Sequence, residues 1–209
     1  MSYNLLFRYG KTHIIIFLLS LFLSIYFSYL WLLILAILYL AFVIYFFRNP
    51  EQNSQIKDNV IVSPTYGTIK KVIESDTHYY IIVFLSPFDP HVQYIPVNSK
   101  VIKQKYHKGE FHPAYLLQKS KYNERFQTVL LSDYGIITIT QIAGILARRI
   151  VKFVKTWDNL KAGMPFGMIK FGSRVDIVLP KKDIVLACKE GDYLNGTHSA
   201  IAKYKKLKL

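Results

Sequence analysis

The sequence predicts a mainly β domain, barrel-like or sandwich-like and compact, behind an N-terminal transmembrane helical hairpin. Three observations predict it. Residues 13–47 form an apolar run, nine short β-branched or aromatic runs follow residue 59, and turn residues separate those runs. At 209 residues the chain has room for one ordinary domain plus a membrane segment. Its 52% hydrophobic content exceeds the usual share of a soluble domain, and the excess is concentrated at the N-terminus.

Residues 1–12 read as a short tail carrying Arg8 and Lys11. Residues 13–47 then hold no acidic or basic side chain apart from His13. A secretory signal has an apolar region of only about 7–15 residues and a small-residue cleavage site, and this segment has neither. One spanning helix needs about 20 residues for a hydrocarbon core about 30 Å thick. A helix over the whole run would reach roughly 52 Å, so two short passes turning near residues 28–31 fit better than one steeply tilted helix. Basic residues flank both ends, Arg8 and Lys11 before and Arg48, Lys57, Lys70 and Lys71 after, and such flanks prefer the cytoplasmic side. The expected localisation is therefore the membrane, with the rest of the chain facing the cytoplasm. A buried core helix is the alternative.

Residues 48–58 are polar and contain Pro50, which marks a linker. The β domain is expected over residues 59–209. Its strands are expected at 60–62, 68–73, 79–85, 101–106, 128–131, 136–142, 168–171, 175–179 and 184–187. Turns are expected at Ser63-Pro64, Ser86-Pro87, Ser132-Asp133-Tyr134-Gly135, Pro180 and Gly191-Asp192. Only residues 143–154 and 113–119 read as short helices. No repeating βα unit, heptad run or low-complexity block is present, which leaves a closed or sandwiched β-fold.

The 27 basic against 13 acidic residues give a net charge of +14, which attracts an anionic surface, nucleic acid or membrane. With an apolar anchor present, lipid is the simpler partner, and no nucleic-acid motif supports the other. Lys203, Lys205, Lys206 and Lys208 form a polybasic end, each worth about 1 kcal/mol near an anionic leaflet. A solvated, frayed terminus explains them equally well. The lone Cys188 excludes an internal disulfide and fits a reducing compartment. Among Ile184, Val185, Leu186 and Ala187 it reads as a buried structural thiol.

Nucleotide-binding glycine loops, zinc spacings and the Gly-x-Ser-x-Gly elbow are all missing, so those enzyme classes drop out. Six histidines lie at 13, 78, 91, 107, 112 and 198 with no helical ligand pair, so no metal site is expected. Asn195-Gly196-Thr197 has the form of a glycosylation acceptor, but Asn-Gly is also a turn dipeptide.

What remains is an ordered set of phrases. They are Phe47-Arg48-Asn49-Pro50, Ser63-Pro64-Thr65-Tyr66-Gly67, Phe84-Leu85-Ser86-Pro87-Phe88-Asp89-Pro90-His91 and Asn123-Glu124-Arg125. Gln141-Ile142-Ala143-Gly144 with Ala147-Arg148-Arg149-Ile150 follows, and then Gly167-Met168-Ile169-Lys170-Phe171-Gly172-Ser173-Arg174-Val175-Asp176. Each is weak alone. Together, in order over residues 47–199, the set resembles the short form of phosphatidylserine decarboxylase and its archaetidylserine counterpart.

The resemblance implies an enzyme, a carboxy-lyase, that makes its own pyruvoyl cofactor by cleavage between Gly172 and Ser173. Ser173 would attack the Gly172 carbonyl, where the missing side chain leaves the approach open. Elimination would then leave a pyruvoyl group heading a 37-residue second chain, so the product would be a heterodimer of the protein's own two pieces. That ketone would form a Schiff base with the serine amine of a phospholipid and accept the electrons left by carbon dioxide. His91 is the candidate catalytic histidine, because an imidazole can take the serine proton and return one later. Asp89 could orient it if Pro90 turns the chain. Arg148 and Arg149 are candidates for the lipid phosphate, since guanidinium groups pair with phosphate, although neighbours on a helix point apart.

Two positions depart from the family pattern. Tyr66 stands where an aspartate associated with self-cleavage is usual, and a phenol with a reference pKa near 10 supplies no negative charge at neutral pH. Tyr94 stands where a basic residue is common. The first reading is thus a decarboxylase of a serine phospholipid, and the alternative is an uncleaved, inactive lipid-binding homologue. The choice between ester and ether lipids and homo-oligomer formation are left open by the sequence.

Overall fold

The computed structural model describes residues 5–145, 149–170 and 173–205. The chain divides into two compact units, residues 1–50 and 51–209.

The first unit is helical. α1 (Leu5–Tyr9) stops at Gly10, and α2 (Lys11–Tyr26) and α3 (Leu30–Phe46) follow. Unbroken Leu, Ile and Phe with no proline keep both long segments helical. Between them Ser28 takes a left-handed φ of 56°, and the Tyr29 amide donates to the Ser24 carbonyl at 3.0 Å. The two helices pack together, with His13 Nδ1 bonded to the Tyr39 hydroxyl at 2.6 Å. The expected transmembrane hairpin is overturned. The break at Gly10 and the turn at 27–29 leave helices of 16 and 17 residues, roughly 24 and 26 Å long against a core of about 30 Å. Among the described residues no helix is long and apolar enough to cross a membrane.

The second unit is mainly β. Its strands are β1 (Val60–Val62), β2 (Tyr66–Glu74), β3 (His78–Leu85), β4 (Val92–Tyr94), β5 (Ser99–His107), β6 (Arg125–Ser132), β7 (Gly135–Ala143), β8 (Ile150–Lys152), β9 (Asn159–Leu160), β10 (Pro165–Ile169), β11 (Ser173–Pro180), β12 (Ile184–Leu186), β13 (Tyr193–Asn195) and β14 (Ala200–Tyr204). Two helical turns interrupt them, α4 (Leu117–Ser120) and a 3-10 turn at Gly196–His198. Antiparallel pairing gives an eight-stranded sheet in the order β13-β2-β3-β11-β7-β6-β5-β9, and two three-stranded sheets, β4-β10-β8 and β1-β14-β12.

The core lies on one face of the large sheet, where strand alternation sends side chains inward at every second residue. Across β3, β11 and β7 the register builds rows of neighbours: Ile81, Ile177 and Ile139, then Val83, Val175 and Gln141, then Leu85, Ser173 and Ala143. All nine are buried. Burying each aliphatic side chain is worth about 1.5–3 kcal/mol, so the register that seats Ser173 on this face is strongly held.

Among the described residues, the helix expected over 143–154 is not formed. β7 continues to Ala143, and Ile150 and Val151 pair with Ile169 and Met168 of β10. The β-branched residues of that segment find sheet partners instead. Of the helix expected at 113–119, only the stretch from Leu117 onward is helical.

Candidate active site

Three segments cross between the large sheet and the β4-β10-β8 sheet at one place. β3 ends at Leu85 and resumes as β4, β7 ends at Ala143 and resumes as β8, and β10 ends at Ile169 and resumes as β11. On the large sheet, Ser173 pairs with Leu85 and Ala143. On the small sheet, Ile169 pairs with Ile150, and its amide donates to the His91 carbonyl at 3.1 Å. Ser173 and His91 therefore border the same crossing, one at the end of each sheet. Gly172 and Arg148 lie outside the described residues, as do Lys206 and Lys208.

The loop into His91 is held by its own residues. Asp89 Oδ2 accepts the Ser86 amide at 2.7 Å, and Asp89 Oδ1 accepts the Tyr193 hydroxyl at 2.7 Å. With both carboxylate oxygens engaged, Asp89 orients the imidazole through its main-chain carbonyl instead. His91 Nδ1 lies 2.6 Å from that oxygen. A carbonyl only accepts, so Nδ1 carries the proton, and in neutral His91 the Nε2 lone pair is the basic position. His91 is fully buried.

Ser173 is also fully buried, and among the described residues its Oγ has no hydrogen-bond partner. Its neighbour Arg174 points to the other face, where Nε and Nη2 grip the Asp176 carboxylate at 2.6 and 2.7 Å. Nη1 donates to Ser120 Oγ and the Leu117 carbonyl. Burial pushes the Asp176 carboxyl up, and the guanidinium pulls it back.

Three groups were not singled out from sequence. Gln93 and Gln141 are buried beside His91, linked by a 2.6 Å hydrogen bond. A glutamine in a strand carries no signal of its own; only its inward phase on an apolar face could have marked it. Lys170 is the third. Its amide donates to the Arg149 carbonyl at 3.3 Å, and burial together with the Arg149 charge holds its pKa below the usual lysine value. Arg149 itself is exposed.

Tyr66 and Tyr94 meet each other, with ring centroids 6.3 Å apart and planes at 71°. Gln52 Nε2 donates to the Tyr66 hydroxyl at 3.2 Å, and Thr197 Oγ1 donates to Gln52 Oε1 at 2.9 Å. Burial, then Tyr66, raises the Tyr94 pKa far above the ordinary phenol value. Both positions that depart from the family pattern thus belong to one packed aromatic pair carrying no charge at neutral pH.

A surface hollow lined by Asn98, Lys100, Leu131, Asp133 and Lys161 lies at the opposite strand ends from Ser173 and takes no part in this constellation. Among the described residues no three His, Cys, Asp or Glu side chains are grouped to hold a metal ion.

Residues 39–202 match the family model of phosphatidylserine decarboxylase. The phosphatidylserine decarboxylase proenzyme of Carboxydothermus hydrogenoformans is 38% identical over 182 residues, covering 84% of this chain and 85% of the relative. That of Rickettsia akari is 37% identical over 180 residues, covering 81% and 78%. That of Chlorobium chlorochromatii is 34% identical over 181 residues, covering 83% and 84%. With a model match over most of its length and relatives aligned nearly end to end, the chain belongs to the phosphatidylserine decarboxylase family, a family of carboxy-lyases.

Proposed function

We propose that the chain cuts itself between Gly172 and Ser173 and then removes carbon dioxide from the serine head of a phospholipid, leaving an ethanolamine head. The observation that carries this reading is the buried Ser173 Oγ, without a hydrogen-bond partner among the described residues, at the crossing that His91 also borders. A buried hydroxyl without a partner costs about 1–3 kcal/mol, so its presence asks for a purpose.

In the cleavage, Ser173 Oγ bonds to the Gly172 carbonyl carbon while its proton passes to His91 Nε2. The C–N bond to Ser173 breaks, and the freed nitrogen takes the proton. His91 Nε2, having given up that proton, takes the Ser173 α-proton as the Gly172 carboxylate is expelled, leaving dehydroalanine, and water replaces its nitrogen as ammonia departs. The new terminus stays in place without its covalent link. β11 lies between β3 and β7, while β13 pairs with β2 and β14 with β1. Chains 1–172 and 173–209 are thus interleaved in two sheets and remain together as a heterodimer.

A pyruvoyl group at position 173 supplies a ketone that engages the substrate amine and withdraws the electrons left by carbon dioxide. The surrounding residues suit that chemistry. Leu85 and Ala143 hold position 173 from both sides, and His91 Nε2 delivers a proton to the α-carbon. Arg149 and Lys170 are the pair we assign to the lipid phosphate, since an anion between them relieves their mutual repulsion. We further place this end of the domain at the cytoplasmic surface of a membrane. Phe88, Tyr115 and Tyr122 are exposed there, Lys121 lies over the Tyr122 ring, and the chain carries +14.

The second reading, an uncleaved lipid-binding homologue, is favoured by one observation: Tyr66 is buried and neutral where self-cleavage calls for a carboxylate. Intact-mass analysis of the purified full chain separates the two. The first reading expects a 37-residue fragment and decarboxylation in the wild type, both lost in Ser173→Ala. A wild type that stays in one piece while its membrane fraction decarboxylates phosphatidylserine overturns it.

A further inference from the structure

The buried glutamines beside His91 form a ladder whose polarity is set by the main chain. Gln93 Nε2 donates to the His91 carbonyl at 2.8 Å. A carbonyl cannot donate, so the Gln93 amide has only one orientation, and its Oε1 faces Gln141. That oxygen needs a donor, which fixes Gln141 as well: Nε2 toward Gln93 at 2.6 Å, Oε1 away from it. Gln141 Oε1 is thus the end of the ladder. It is buried, and among the described residues nothing donates to it.

Ser173 Oγ is the complementary orphan. Gln141 pairs with Val175, and Ala143 pairs with Ser173, so Gln141 and Ser173 share one sheet face as diagonal neighbours on adjacent strands. Diagonal Cβ atoms are somewhat under about 7–8 Å apart, within reach of a long side chain. Gly167 closes the other side of the glutamine, because a Cβ there would lie 2.8 Å from Nε2 and 3.0 Å from Oε1. The amide cannot retreat, and the missing side chain at 167 is what lets β10 pass over it. An acceptor and a donor, neither partnered among the described residues and not bonded to each other, therefore lie as diagonal neighbours on one buried face.

Resting on the self-cleavage reading above, we propose that Gln141 is a positioning residue for that reaction: on a turn of the Ser173 side chain its Oε1 accepts the hydroxyl and fixes the rotamer from which attack begins. The ladder then ties nucleophile and base into one unit, running from the His91 carbonyl through Gln93 and Gln141 to Ser173. During attack the hydroxyl proton leaves Gln141 for His91 Nε2, and Gln141 itself neither gains nor loses a proton.

The test follows the appearance of the 37-residue chain by intact mass in the full-length protein, across a range of pH, with thermal unfolding recorded alongside. Gln141→Leu is expected to slow cleavage on the order of 10- to 100-fold, the range set by small misplacements of reacting groups. Gln141→Glu keeps the shape. When protonated it donates to Gln93 and presents its carbonyl to Ser173, and when ionised it cannot donate. Burial raises that carboxyl's pKa, so the rate of Gln141→Glu relative to wild type should rise as pH falls. Taking the ratio cancels the titration of His91, and a purely structural role would not produce it. If Gln141→Leu fails to fold, the Gln141→Glu ratio alone decides. Cleavage of Gln141→Leu at the wild-type rate, or a Gln141→Glu ratio flat with pH, overturns the inference while leaving self-cleavage intact. A wild type that yields no small chain removes the self-cleavage reading, and this inference with it.

Discussion

Ser173 and Arg174 are consecutive on β11 and both buried, yet the pleat sends them to opposite faces of the sheet and into opposite circumstances. On the outer face Arg174 is saturated: Asp176 takes two of its donors, and Ser120 and the Leu117 carbonyl take others. It ties α4 to the sheet. On the inner face Ser173 has no partner for its only polar side-chain atom among the described residues. The difference separates a group that holds structure from one held ready to react. A saturated buried group has nothing left to offer a substrate, whereas an unsaturated one is costly to keep and free to form a bond.

The largest effect comes from breaking the inner side. Ser173→Ala should abolish the 37-residue chain and decarboxylation altogether, while urea unfolding should find it no less stable than the wild-type chain before cleavage, because a buried hydroxyl without a partner among the described residues has been removed. A marked loss of stability would mean that Ser173 is structural after all. Breaking the outer side should act on folding instead. Arg174→Met leaves Asp176 partly buried without its cation, a loss of about 3–5 kcal/mol in urea unfolding at neutral pH. The sign of its pH dependence follows from the two influences on Asp176: burial raises its pKa and Arg174 lowers it. Without Arg174 only the raising influence remains, so the folded variant binds its proton more readily than the unfolded chain. Its deficit relative to wild type should therefore shrink as pH falls through that raised pKa.

Tyr66 extends the comparison to a buried group that is partnered but uncharged. Tyr66→Phe removes the Gln52 hydrogen bond and should cost about 1 kcal/mol, with the rate of fragment appearance unchanged. Slower cleavage would give the phenol a part in the chemistry. Cys188 supplies the smallest effect, as a second nucleophilic atom in the domain that is already occupied. Its Sγ donates to the Ile201 carbonyl at 3.4 Å, and burial pushes its pKa up to about 11. A raised pKa means less thiolate, so alkylation of the native protein at pH 8 should be slower than that of the urea-unfolded chain, and should rise only as pH approaches the raised value.

Long strands such as β3, β7 and β11 were legible because they are rich in β-branched and aromatic residues over eight or nine positions bounded by turn residues. β4, β8, β9 and β13 were not, since two or three residues carry no period, and only their partners make them strands. β14 was read as part of a basic tail, yet the Tyr204 amide donates to the Asn59 carbonyl and Lys203 pairs with Val60, so the described part of that tail is sheet. The helix expected over 143–154 failed for the same reason, because nothing local announces that Ile150 and Val151 will meet β10. In the helical unit the error was one of length. The run over 13–47 was read as two passes turning near residues 28–31, but the helices are only 16 and 17 residues long, and neither is long and apolar enough to cross a membrane.

By itself the sequence determined the family and the mainly β character of residues 59–209, because both are written in residue identities and short-range pattern. It also singled out Ser173 and His91, whose roles are the substance of the proposal above. Only the tertiary structure decided what those residues face. The Asp89 carbonyl selects the His91 tautomer, Gln93 and Gln141 run between His91 and the inner face of β11, and Tyr66 closes on Tyr94. Each of these contacts depends on strand register and on three crossings between sheets. Periodicity states which face a side chain takes, whereas the partner on that face is set by pairing between segments up to about 100 residues apart.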